Sequence, residues 1–159
     1  KRWISKMNDS VVSLDEHKQH KFVVPEVADI RLEWDNVRPG IEEILSDTPQ
    51  LTFLPEDVYS ECVNGRATLL VSPTGFLVLT TEIDTFTDDK TLLIWLAYTY
   101  IRGTNNWLDH VEWFESVARS LGCKFIEARS AVPKMEAYAR RNGWALDTRV
   151  YTREVPDGV

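Results

Sequence analysis

The sequence predicts a mixed α/β domain in which a central mixed β-sheet is flanked by helices, and three observations carry that expectation. Leu92-Leu93-Ile94-Trp95-Leu96-Ala97-Tyr98 is almost continuously apolar, as suits a strand buried on both faces. From Thr91 to Ser130 the pattern reads strand, tight turn, helix, strand, which implies a crossover joining two parallel strands. The β-rich runs Ala67 to Val71 and Phe76 to Thr80 flank Ser72-Pro73-Thr74-Gly75, a hairpin signal.

Residues 1–25 lack steady periodicity, and residues 1–26 read as an N-terminal arm with at most a short strand, leaving 27–159 as the domain. From Val27 the apolar positions Ile30, Trp34, Val37, Ile41, Ile44 and Leu45 follow helical spacing. Pro39-Gly40 interrupts them, which predicts two helical pieces or one kinked helix. Pro55 opens a second helix carrying Val58, Tyr59 and Cys62, and Asn64-Gly65 stops it. After the hairpin and the central strand, Asn106 is the expected N-cap of a helix with Leu108, Val111, Phe114, Val117, Ala118 and Leu121 on its buried face. Gly122 ends that helix, and Cys123 to Arg129 reads as the next strand. Pro133 starts a further helix with Val132, Met135, Tyr138 and Ala139 facing inward and Gly143-Trp144 at its end. Thr148 to Val155 alternates as a final strand.

At 159 residues the chain fits one domain. Six tryptophans and 43% hydrophobic residues argue against disorder. No apolar run approaches the roughly 18 residues of a membrane span, so no membrane partner is expected. The net charge of −7 lies in the first 99 residues, with residues 100–159 close to balanced. Without a basic patch interleaved with aromatics, nucleic acid is not an expected partner either. Two cysteines, Cys62 and Cys123, are too few for a disulfide framework and fit a reducing cytoplasm. His17 and His20 share helical spacing, but His110 is the only other histidine and no cysteine is near, so a solvated pair is expected and no metal.

The turn Ile101-Arg102-Gly103-Thr104-Asn105-Asn106 is the candidate binding element. N–H groups at a helix N-terminus, a glycine that lets a ligand approach closely, and the Arg102 charge together suit an anion. The same strand, turn and helix also serve packing alone, since every helix start carries such groups.

The element order, with Arg102-Gly103 before one helix and Ala137-Tyr138-Ala139-Arg140-Arg141-Asn142-Gly143-Trp144 closing another, resembles the GNAT family of N-acetyltransferases across about Val27 to Val155. It is similar in particular to the small members found in tailed phages. The resemblance implies that the central strand splays from its neighbour and offers backbone groups at Tyr98, Thr99 and Tyr100 to the pantetheine arm of acetyl-CoA, while Arg102, Gly103, Thr104, Asn105 and Asn106 wrap the pyrophosphate. It implies acyl transfer to an amine, of a small molecule or a protein, with Glu82 as candidate base and Tyr138 as candidate acid. Tyr98, Tyr100 and Tyr151 compete with Tyr138 for that role. Asn105 stands where the family commonly has a second glycine, and Tyr138 lies five residues before Gly143 where four is usual. These two departures leave open a second class of function, a GNAT-fold binding or assembly protein without turnover, of a phage particle or against a host protein.

Overall fold

The apolar run at the middle of the sequence is the middle of the sheet. In the computed structural model, which describes residues 22–101, 107–130 and 134–157, the elements are β1 (Glu26–Ala28), α1 (Ile30–Asp47), α2 (Pro55–Val63), β2 (Ala67–Ser72), β3 (Gly75–Ile83), β4 (Lys90–Thr99), a short 3-10 turn (Trp107–Asp109), α3 (Val111–Ser120), β5 (Phe125–Ala128) and α4 (Lys134–Arg141). One five-stranded sheet runs in the order β1-β2-β3-β4-β5. β1 to β4 pair antiparallel, and β5 joins β4 in parallel, as a crossover through α3 requires. The mixed α/β architecture is therefore the expected one, with helices on both faces. No helix among the described residues is long and apolar enough to cross a membrane.

β4 is buried along most of its length because it carries two cores. On one face Leu92, Ile94 and Ala97 pack with Leu77 and Leu79 against Trp107, Leu108, Phe114, Ala118 and Met135. On the other, Leu96 and Tyr98 pack with Leu69, Phe76 and Val78 against Ile30, Val37 and Ile41 of α1 and Val58 of α2. Alternation along the strand serves the two faces, and the register shows one place where it is broken. Val78 pairs Leu96 while Leu79 pairs Ile94, so Trp95 is an extra, bulged residue. Ile94 therefore stays with the first core while Trp95 and Leu96 both meet the second.

α1 is one continuous 18-residue helix, with Pro39 inside it. Asp29 caps it, its carboxylate accepting the Arg31 N–H at 2.9 Å. Of the two outcomes that Pro39-Gly40 allowed, separate helical pieces do not occur. Gly40 is required by packing: a Cβ there would lie 2.7 Å from the Phe76 ring and 2.9 Å from the Tyr98 ring. Tertiary burial of Val37 and Ile41 on either side offsets the missing N–H of the proline. α2 begins with Pro55, and its Asp57 carboxylate accepts the Leu54 N–H at 2.7 Å. The Trp34 and Tyr59 rings meet edge on at 4.9 Å and tie α1 to α2.

Several sequence expectations need correction. α3 starts at Val111 with His110 at its N-cap; Trp107 and Leu108 are spent on a separate buried turn, and Asn106 lies outside the described residues. Leu121 is not a core residue. It sits at the C-cap of α3, 45% exposed, because the helix has already ended and its neighbours turn away. β5 is shorter than Cys123 to Arg129. Thr148 to Val155 forms no strand and makes no backbone ladder among the described residues.

The two cores set two measurable outcomes. Phe114→Ala removes a fully buried ring and should cost about 3–5 kcal/mol, whereas Leu121→Ala should stay within about 0.5 kcal/mol, both read from urea midpoints. Gly75→Ala should cost about 1–3 kcal/mol, because its Cβ would be driven to 2.0 Å from the Tyr98 carbonyl oxygen. A Gly75→Ala protein with an unchanged midpoint would mean that β3 and β4 do not approach each other as described.

Candidate active site

The site grows from the parting of β4 and β5. β4 pairs with β5 only over Thr91 to Ile94, yet it continues beside β3 as far as Thr99. Trp95 to Thr99 therefore runs past its parallel neighbour for about 16 Å, opening a wedge that starts at the Trp95 bulge. Tyr100 N–H donates to the Thr74 carbonyl at 2.9 Å, which fixes the edge that faces β3. By the alternation of an extended strand, the backbone groups of Ala97 and Thr99 point the other way, into the wedge. Thr99 is buried.

Beside this end of β4 lies the 3-10 turn. The Trp107 indole N–H donates to the Tyr98 carbonyl at 3.1 Å, and Trp107 is completely buried. That carbonyl leans over Gly75, the only residue type that leaves room for it.

Tyr98 places its ring on the α1 face. It stacks on Phe76 at 5.4 Å, meets Tyr100 edge on at 5.9 Å, and donates its phenol to the Glu43 carboxylate of α1 at 2.5 Å. Its side chain is thus structural, and its carbonyl is engaged by Trp107 on the β3 side. Tyr100 borders an open groove of about 560 Å³ with Glu33, Asp35, Asn36, Val71, Ser72 and Pro73. Burial and the nearby Glu33 carboxylate push its phenol pKa up, so it stays protonated and able to donate. Glu33 accepts from the Asn36 side-chain amide at 3.3 Å.

Tyr138 sits half-buried on α4 against the first core, and its phenol donates to the Asp109 carboxylate. The bond joins the segment after β4 to the helix after β5. The Arg141 guanidinium lies 5.9 Å from the Tyr138 ring centre.

Glu82 lies below the base of the wedge. It pairs with Thr91, four residues or about 13 Å before the Trp95 bulge at which the wedge opens. β3 runs antiparallel to β4, so the end of β3 lies at the beginning of β4. There Glu82 accepts from Arg129 at 2.8 Å, and Glu127 accepts from the same guanidinium at 2.5 Å. Tyr151 is 87% exposed. Arg102, Gly103, Thr104, Asn105 and Asn106 lie outside the described residues, as do His17 and His20.

Sequence reasoning missed Trp107, Asp109 and Glu43. Trp107 follows the turn as an apolar residue that helical periodicity absorbs. Asp109 stands where a carboxylate answers a helix dipole, and nothing local signals a phenol arriving from Tyr138. Glu43 lies 55 residues from Tyr98 and carries no signal at all.

No family model and no curated protein matches the chain by sequence. Solved structures do match its fold. A ribosomal-protein-alanine N-acetyltransferase from Brucella melitensis biovar Abortus 2308 superposes with a TM-score of 0.62 at 12% identity, over 84% of this chain and all of that one. A possible acetyltransferase from Clostridium difficile 630 gives 0.59 at 12% identity, over 86% and 100%. A glucosamine-6-phosphate N-acetyltransferase from Arabidopsis thaliana gives 0.56 at 13% identity, over 84% and 100%. The chain has the fold of the GNAT acetyltransferases.

Proposed function

We propose that the chain is an N-acetyltransferase that takes its acetyl group from acetyl-CoA and passes it to a cationic amine. The observation that carries this reading is the wedge, where β4 runs on past the end of β5 from Trp95 onward. Extended main chain of this kind suits an amide-bearing arm, which it can bind as a neighbouring strand would. Bound acetyl-CoA supplies the activated thioester.

The chain's own residues then have four tasks. The wedge-facing main chain of β4, Ala97 foremost, orients the arm, while Arg102 and the turn Gly103 to Asn106 hold the pyrophosphate. Tyr138 is the proton donor to the leaving sulfur, and Asp109, which accepts its hydrogen bond, positions it. Glu33 and Asp35 line the groove at the same end of β4 and draw in a protonated amine. Glu82, ion-paired with Arg129 beside the end of β5, takes the proton that this amine loses as its nitrogen attacks the thioester carbonyl.

A second reading rests on the same phenols. Tyr98 and Tyr138 are both engaged by carboxylates, which suits a binding or assembly protein without turnover, including one from a phage. Calorimetry with acetyl-CoA, followed by assay against a panel of polyamines, amino sugars and lysine peptides, separates the two. The enzyme reading expects binding and transfer; no measurable affinity would sink it.

Three variants sharpen the outcome. Arg102→Ala should weaken binding roughly 10- to 150-fold, the loss of a charge-assisted bond of about 1.5–3 kcal/mol. Asn105→Gly should leave binding unchanged or improve it, since it frees the turn. Tyr138→Phe should lower kcat by about 100-fold or more with acetyl-CoA affinity nearly constant. Equal turnover in Tyr138→Phe would remove it from the chemistry.

A further inference from the structure

The turn between β3 and β4 holds an aromatic ring out in water. Phe86 is 96% exposed, and Ile83 at the base of the turn is 62% exposed. The turn itself is tightly tied. The Asp84 carboxylate accepts from the Phe86 and Thr87 N–H groups at 2.8 and 3.0 Å. Asp88 N–H donates to the Asp84 carbonyl, and Asp84 N–H to the Asp89 carbonyl, both at 2.9 Å. Asp88 takes a left-handed backbone with φ of 58°. Lys124, next to β5, braces the turn through an ion pair with Asp89 at 2.8 Å. A ring fixed in this way costs little further ordering when a second surface covers it. Asp84 and Asp88 flank it, and neither makes an ion pair among the described residues.

A groove of complementary character lies at the end of α4. Its volume is about 530 Å³, and Arg140, Gly143, Trp144, Ala145 and Leu146 line it. Leu146 is 46% exposed, and the Trp144 indole nitrogen is buried without an acceptor. A buried N–H in that state is costly. The charge here is unbalanced in the sense opposite to the turn. Arg140 and Arg149 share the Glu136 carboxylate, at 2.8 and 3.4 Å, which leaves one positive charge over.

We propose that the Phe86 turn of one copy docks in the α4 groove of a second copy, and that reciprocal insertion makes the chain a two-fold dimer. The occupant is a copy of this chain because each feature supplies what the other lacks. Phe86 covers Trp144 and Leu146, in the manner of the aromatic anchors at interface centres. Asp84 and Asp88 bring negative charge to the arginine that Glu136 leaves unanswered. The carbonyls of Thr85 and Phe86 accept no hydrogen bond among the described residues, and one of them meets the Trp144 N–H once the indole shifts to admit the ring. Within one chain the ring does not occupy the groove, since it stands almost wholly in water. Each copy has one turn and one groove, so two copies fill both grooves and the contact closes.

The test uses the full chain. Light scattering on a sizing column should give a dimer that dissociates on dilution, and more readily at high salt. Phe86→Ser should weaken it about tenfold or more at an unchanged urea midpoint, because the ring takes no part in the fold of one chain. Arg140→Glu should weaken it too, by setting a like charge against Asp84 and Asp88. Phe86→Cys and Leu146→Cys, each made with Cys62→Ala and Cys123→Ala, should form a disulfide on oxidation when the two proteins are mixed, and not when either is alone. A monomer in the unaltered protein at every concentration overturns the proposal. A dimer that keeps its affinity in Phe86→Ser overturns it as well, as an interface elsewhere. So does a protein carrying both Phe86→Cys and Leu146→Cys that closes the disulfide within one chain.

Discussion

The Tyr98 carbonyl is the point on which the rest of the structure turns. Trp107 donates to it from one side, and Gly75 leaves the space into which it leans. The 3-10 turn that brings Trp107 there also seats Leu108 and leads into α3, so the first core is anchored to the strand whose other face carries the second. A buried carbonyl needs a donor, and a buried indole N–H needs an acceptor. Each satisfies the other. The bond fixes how the chain returns after β4, and hence where the wedge between β4 and β5 closes below.

The wedge itself is a consequence of the bulge. One extra residue at Trp95 increases local twist and swaps which core each later side chain meets. Beyond it β4 stays with β3, whose backbone follows through Gly75, and leaves β5, which ends at Ala128. Two cores on one strand would otherwise require a flat, regular alternation. The same irregularity that lets Leu96 and Tyr98 reach α1 marks the point beyond which β4 runs without β5 beside it.

Much of this was legible in the sequence because it rests on local chemistry. The apolar run, the Ser72 to Gly75 turn, the Pro55 start and the helical stripe around Phe114 each declare themselves within a few residues. Where the reading failed, the deciding information was remote. Leu121 follows the stripe of α3 yet lies one position past the helix, and periodicity does not know where a helix stops. Pro39 looked like a break, but the burial of Val37, Gly40 and Ile41 outweighs one missing hydrogen bond. The partnerships of Tyr98 with Glu43 and Tyr138 with Asp109 have no sequence signature, being contacts between elements.

Charge divides the molecule in the same way as packing does. Glu33, Asp35, Glu42, Glu43 and Asp47 on α1, with Glu56, Asp57 and Glu61 on α2, set an acidic face against only Arg31 and Arg38. Several of these carboxylates are answered by arginines across short exposed ion pairs, which salt screens and which add little to stability. Their sum still matters over longer range, because a field depends on net charge and not on individual contacts. On the other side α4 ends in Arg140 and Arg141, a placement that answers its dipole. That basic end is local, because Glu112, Glu115 and Glu136 on α3 and α4 stand against Arg119, Lys134, Arg140 and Arg141. β4 separates the two faces, so the net field of the molecule is set mainly by the α1 and α2 side.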